Sequence, residues 1–310
     1  MKEKSIDKTN LTAAKRNQLS FLLMLSTFFL LFSCEDVIEV ELDPFEQNLV
    51  VDAWLTNQSE DQVIQLSQAQ AYFDSSIPPG ITNAEVHLDR QDGRRFDFEH
   101  VGQGNYVWTP EAEDDQLGVV GDDFILNIVS DEGAYSSQTS IYRVPVIDSI
   151  GQEFRDDEIF LDDGIYLQFY ARDFVGLGDA YWIKAYRNGA YLNKIEELNL
   201  AYDAGFDAGT GVDGLIFIPP IRELVNPVDD DLIPQPWDPG DHIRVEIHSM
   251  SIDGFNFMEI ARDQISNGNN GIFGLPLANT NGNISRTTDG TKALGFFNIA
   301  AVSSLEKTVE

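Results

Sequence analysis

Apolar and polar positions alternate with a period of two along most of the chain after residue 48, the signature of strands with one buried face. Leu49-Val50-Val51-Asp52-Ala53-Trp54-Leu55 and Val63-Ile64-Gln65-Leu66-Ser67 read as strands. Ala84, Val86 and Leu88 alternate with polar residues up to Asp92-Gly93, and Phe96 and Phe98 then resume the alternation. Asp-Gly supplies the positive φ of a tight primed turn, so this is a hairpin. Residues 106–108 and 124–129 continue the series, and 165–170 is a strong strand. The clearest hairpin joins residues 181–187 to 190–192 through Asn188-Gly189. Ile243, Val245 and Ile247 alternate with His242, Arg244, Glu246 and His248 in a further half-buried strand. Phe257, Ile260, Ala261 and Ile265 fall at helical spacing and predict one short helix over 255–265. The expected fold is therefore all-β. A sandwich would occupy residues 49–145, and a larger β-sandwich-type domain residues 146–310. Residues 144–150 read as the connector, and the part up to residue 145 is expected to fold unaided.

The first 33 residues follow a different pattern. Lys2, Lys4, Lys8, Lys15 and Arg16 precede a mostly apolar run over 19–32. That run falls short of the roughly 20 residues that span a bilayer and suits the apolar core of an export signal. Leu31-Phe32-Ser33-Cys34 resembles the lipobox at which lipoproteins are cut and acylated. Cys34 is the chain's single cysteine. Residues 1–33 are thus expected to be a signal peptide and 34–48 a lipidated tether. Glu35 and Asp36 resemble the surface-export signal of Bacteroidota lipoproteins, while residues 37–42 also alternate as a strand would. The expected location is the outer membrane, lipid-anchored at Cys34 and facing the cell exterior. With Cys34 acylated no disulfide forms, and the core must hold the fold.

Composition narrows the function. The formal net charge of −32 disfavours nucleic acid and direct adsorption to an anionic membrane, since both need a basic surface. No Gly-x-Ser-x-Gly, His-Glu-x-x-His, Gly-x-x-x-x-Gly-Lys or Gly-x-Gly-x-x-Gly segment occurs. His242, Glu246 and His248 share one strand face by parity, an arrangement able to ligate a metal or simply to face solvent. No cofactor is expected, with calcium as the candidate ion: Asp229, Asp230 and Asp231, or Asp203, Asp207 and Asp213, offer carboxylates in loops, though without EF-hand spacing. The segments 203–214 and 226–240 are long loops, which in compact domains are often functional. Trp237 sits in the second between Pro236 and Asp238-Pro239-Gly240 and reads as an exposed contact residue. Tyr186 and Tyr191 are its nearest candidates for a shared platform.

Several segments together carry a resemblance. These are residues 49–57 (LVVDAWLTN), 81–110 with Gly104-Asn105-Tyr106, 144–150, Gly240-Asp241, Asn281-Gly282-Asn283-Ile284 and Ala293-Leu294-Gly295-Phe296-Phe297. In this order and spacing they resemble the Bacteroidota family catalogued as domain of unknown function 4249. Gly295-Phe296-Phe297 stands where that family closes with Gly-Tyr-Phe. Residues 81–110 are also similar to the immunoglobulin-like, prealbumin-like modules of surface proteins, which implies an immunoglobulin-like or prealbumin-like sandwich over 49–145. The family resemblance implies a two-part β lipoprotein without established activity, commonly encoded beside a TonB-dependent outer-membrane receptor. The expected function is accordingly a non-enzymatic surface lipoprotein that assists such a transporter. A cell-surface adhesin or glycan-binding module is the alternative, and a hydrolase a third reading. A deep pocket with convergent acids would favour the hydrolase, an open aromatic groove the glycan, and a broad apolar patch a protein partner.

Overall fold

The computed structural model describes residues 48–70, 74, 76–209, 211–268 and 280–310. Cys34, Glu35, Asp36, the signal and the tether up to residue 47 lie outside the described residues. The described residues are all-β, with one long α-helix and one short one among them. Nine strands form the first sheet: β1 (Leu49–Thr56), β2 (Gln62–Gln68), β3 (Glu85–Arg90), β4 (Arg95–Gly102), β5 (Asn105–Trp108), β6 (Asp123–Ser130), β7 (Gly133–Ser140), β14 (Ser285–Arg286) and β15 (Leu294–Ala300). Their order is β14-β7-β6-β3-β4-β5-β2-β1-β15. Strands β1, β2, β3, β4 and β6 bury alternate residues, as their sequences predict. The Asp92-Gly93 hairpin forms, but Gly93 alone takes a positive φ (89°), so its turn is not the primed one expected.

Sheet membership does not follow a division at residue 145. β15 runs parallel to β1, from Val50 beside Leu294 to Thr56 beside Ala300. Ile284, Phe297 and Ile299 then complete the same core as Leu49, Val51, Ile64 and Phe124. Because β14 and β15 lie at opposite ends of the strand order yet only a short link separates them, the sheet must curl until its edges meet. Asn283 seals the seam. Its side-chain amide donates to the Phe297 carbonyl (2.8 Å) and accepts from the Phe297 N–H (2.9 Å), as a strand would. Its own carbonyl accepts from Ser137 of β7 (3.0 Å). Gly282 and Gly295 allow the approach, since a Cβ on Gly295 would overlap the Val51 carbonyl and Gly295 has φ +90°.

The second sheet holds β10 (Ala180–Arg187), β11 (Ala190–Tyr191), β12 (Asn199–Tyr202), β13 (His242–Met250) and β16 (Val302–Thr308). The Asn188-Gly189 turn forms, both residues at positive φ. β8 (Ile147–Arg155) and β9 (Gly164–Ala171) make a separate hairpin, so the predicted connector is itself the start of a strand. Tyr181, Ile183 and Ala185 of β10 pack with Leu167 and Phe169 of β9 and with Ile221 of the short helix α1 (Pro219–Glu223) in a second core. The helix α2 (Ile252–Gly268) is longer than the predicted 255–265. It covers an aromatic cluster in which Trp54 stacks on Phe296 (5.4 Å between centroids) and meets Trp182 edge-on (5.7 Å). That cluster joins the two sheets.

Candidate functional site

Trp237 is not a surface anchor. It is 2% exposed and belongs to the second core. Its N–H donates to the Ile165 carbonyl (2.8 Å) and its indole Nε1–H to Asn226 Oδ1 (3.1 Å). The Pro and Gly around it make a loop, but the loop lies flat on β9 and buries its largest side chain. Tyr186 and Tyr191 lie on the opposite face of β10 and pair with each other at 5.3 Å. The three therefore form no common platform.

The Asp229 triplet does not converge on a cation site either. Asp229 Oδ1 accepts the N–H groups of Asp231 and Ile233 (both 2.9 Å), and its Oδ2 accepts from Gln235 Nε2 (3.0 Å). It is thus the organiser of its own turn, while Asp230 meets Lys194 at 3.3 Å and Asp231 is exposed. Of the histidine face, only His248 and Glu246 come together, His248 Nε2 to Glu246 Oε2 at 2.9 Å. His242 lies at the strand start and faces Glu306 (3.5 Å). Glu246 and His248 are buried rather than solvated, beneath Tyr186, Arg244 and Lys184. Burial pushes the His248 imidazole down, against the pull of Glu246. Burial pushes Glu246 up, but His248 and Arg244 outweigh it and hold the carboxylate low. Lys184 is lowered by burial, opposed by Glu246, and its ammonium sits 3.9 Å from the Trp182 ring centroid. Burial pushes Tyr191 up to about 12. The cavity beside His248, Trp182 and Trp54 is about 10 Å³, the space of one water. This network binds β10 to β13 and has no room for a substrate.

The loop over 203–214 behaves differently. Asp173, Asp179 and Asp203 bring carboxylate oxygens within 4.8 Å of one another, a convergence that sequence spacing did not reveal. Each is engaged by the protein. Asp173 accepts the Tyr181 hydroxyl (2.7 Å) and the Gly214 N–H (3.2 Å). Burial raises the Asp173 carboxyl above its ordinary range. Asp203 accepts the N–H groups of Gly178 (2.8 Å) and Asp179 (3.1 Å). Arg143 grips both oxygens of Asp179 (2.8 and 2.6 Å) and also reaches the Gly176 carbonyl (3.1 Å), so a guanidinium supplies the positive charge. Asp213 ties the second loop to the first by accepting the Gly176 N–H (2.8 Å). The acids thus knit loops 173–179 and 203–216 into one platform. On it, Val175 and Leu177 are 83% and 76% exposed, with Leu215 and Ile216 exposed beside them. The alternation rule could not find this patch, because loop residues carry no period.

Residues 35–306 match the family described as a domain of unknown function, DUF4249. The chain belongs to that family. No curated protein matches the chain. Within this DUF4249 fold, the segments that carried the resemblance turn out to be architectural. Gly295 and Asn283 close the seam, and Gly104 has φ +80°, packed against the Leu66 carbonyl. The Tyr106 hydroxyl donates to the Ile81 carbonyl (3.0 Å) and accepts the Ala84 N–H (2.9 Å). A cleft of about 590 Å³ lies between α2 and β15, with Gln138, Asn256, Asn281 and Lys292 around Phe257. Among the described residues no helix is long and apolar enough to cross a membrane.

Proposed function

We propose that this chain is a non-enzymatic, lipid-tethered docking protein that assists a TonB-dependent receptor from the outer membrane. The observation that carries the reading is the loop platform with Val175, Leu177, Leu215 and Ile216 in water. An apolar patch held rigid by buried carboxylates has little left to order on binding, which favours a protein partner. The acylated Cys34, with Glu35 and Asp36 behind it, would confine the protein to its partner's membrane. Confinement raises the effective concentration, so a modest patch suffices. The receptor as partner comes from the resemblance, and the patch itself asks only for a complementary apolar surface. The test is a mild-detergent pull-down from native membranes. The wild type should recover one dominant β-barrel receptor, and V175S/L177S should lose most of that recovery while melting like wild type. Equal recovery by both proteins would end the reading.

Glycan binding is the second reading, favoured by the cleft beside α2. Gln138, Asn256 and Asn281 offer amides suited to hydroxyl groups above the Phe257 ring. It prevails if the pull-down brings no receptor while the purified protein binds a glycan array and N256A abolishes that binding.

A further inference from the structure

The tip of the β8–β9 hairpin, residues 156–163 (DDEIFLDD), places Ile159 at 90% and Phe160 at 81% exposure. Phe154 of β8 is exposed close by. Side chains of this size are stabilised by burial, so leaving both in water is costly. The tip is nevertheless held in shape. Asp157 takes a left-handed φ of 56°, and its N–H donates to Asp163 Oδ1 (3.1 Å). The Tyr166 hydroxyl donates to the Asp162 carbonyl (2.9 Å). Gly164 packs directly on Pro236, and the neighbouring Ile165 carbonyl takes the Trp237 N–H. At the foot, Arg155 bonds Glu223 (3.1 Å). Trp237, buried and engaged, braces this stem from behind.

Charge then selects the occupant. Asp156, Asp157, Glu158, Asp162 and Asp163 surround the apolar pair, all exposed. They repel an anionic lipid surface, and a second copy of a chain with net charge −32 is repelled likewise. We infer that the tip is an anchor for a protein partner: Phe160 and Ile159 enter an apolar pocket whose rim carries Lys or Arg. A large side chain in a desolvated centre, with a polar rim around the patch, is the usual anatomy of an interface anchor. The acids steer the approach, and the preformed loop lowers the ordering cost. The inference goes beyond the loop platform, because the tip lies at the opposite end of β9.

The test uses the full chain in its native membrane, with Phe160→p-benzoylphenylalanine as a photoreactive probe. Irradiation should give one protein adduct whose cross-linked peptide contains Lys or Arg beside apolar residues. D156K/E158K in the same background should cut the adduct about fivefold or more, as should high salt. Both acids are outside the tip's hydrogen bonds, so the loop persists in that variant. A lipid adduct would mean that the tip meets the membrane and would overturn the inference. So would an adduct with another copy of this chain, an adduct indifferent to charge, or no adduct. Any of these leaves the platform reading untouched, since that reading is judged by Val175 and Leu177 in a different assay.

Discussion

Gly295 and His248 show how single residues hold this fold at points where the backbone or a charge is confined. At Gly295 the chain has φ +90° and passes against the Val51 carbonyl, so a side chain meets both backbone strain and overlap. G295A should lower the free energy of unfolding by about 3 kcal/mol or more, read as a drop in urea midpoint at unchanged m-value. His248 sets a pH limit. Its folded-state pKa is depressed, so the unfolded chain takes up the proton first as pH falls. The stability owed to neutral His248 is therefore present above about pH 6.5 and is lost on acidification below it. Between pH 7.5 and 5.5 the wild type should lose more stability than H248Q, with urea midpoints as the measure. Equal losses would mean that folding does not shift the His248 pKa. At this scale the sequence marked Gly295 only as part of a family-like segment, without its reason, and was misleading about Trp237. Its Pro-Trp-Asp-Pro-Gly neighbourhood marks a loop correctly, but a local window does not report what the loop packs onto.

Among the elements, those with clean alternation were legible: β1, β2, β3, β6, β9, β10, β13 and the two hairpins, although only the Asn188-Gly189 turn has both residues at positive φ. β7 was not, because Ser136, Ser137, Gln138 and Thr139 show no apolar period. It is a strand through its register with β6, from Asp123 beside Ser140 to Ser130 beside Gly133. β16 was missed for a similar reason, its VSSLEKT sequence being ordered by pairing with β13. Parallel pairing of β15 with β1 joins residues far apart in sequence, which no pattern of neighbours encodes. The consequence is testable. A fragment of residues 35–145 lacks β14, β15 and the side chains of Ile284, Phe297 and Ile299, and leaves the β1 edge unpaired. It should be molten or insoluble, without a cooperative melt by circular dichroism. A sharp transition would show that the curled sheet does not need its late strands.

For the whole molecule, the all-β class was readable from the sequence. The candidate sites were less so, since an exposed residue is defined by what fails to cover it. Tyr186 and Tyr191, expected to share a contact platform with Trp237, pair instead with each other beside Lys184 and Arg244. The loop over 203–214 was singled out for its length, and its acids proved to be the frame of an apolar platform. The same curled sheet has a mechanical side. β1 begins at Leu49, directly after the segment expected to lead back to the membrane, and it is held by β2 on one side and β15 on the other. A pull along that segment loads both hydrogen-bond ladders in shear, so many bonds must yield at once instead of one after another. The fold is thus built to bear tension applied where β1 begins, without unzipping strand by strand.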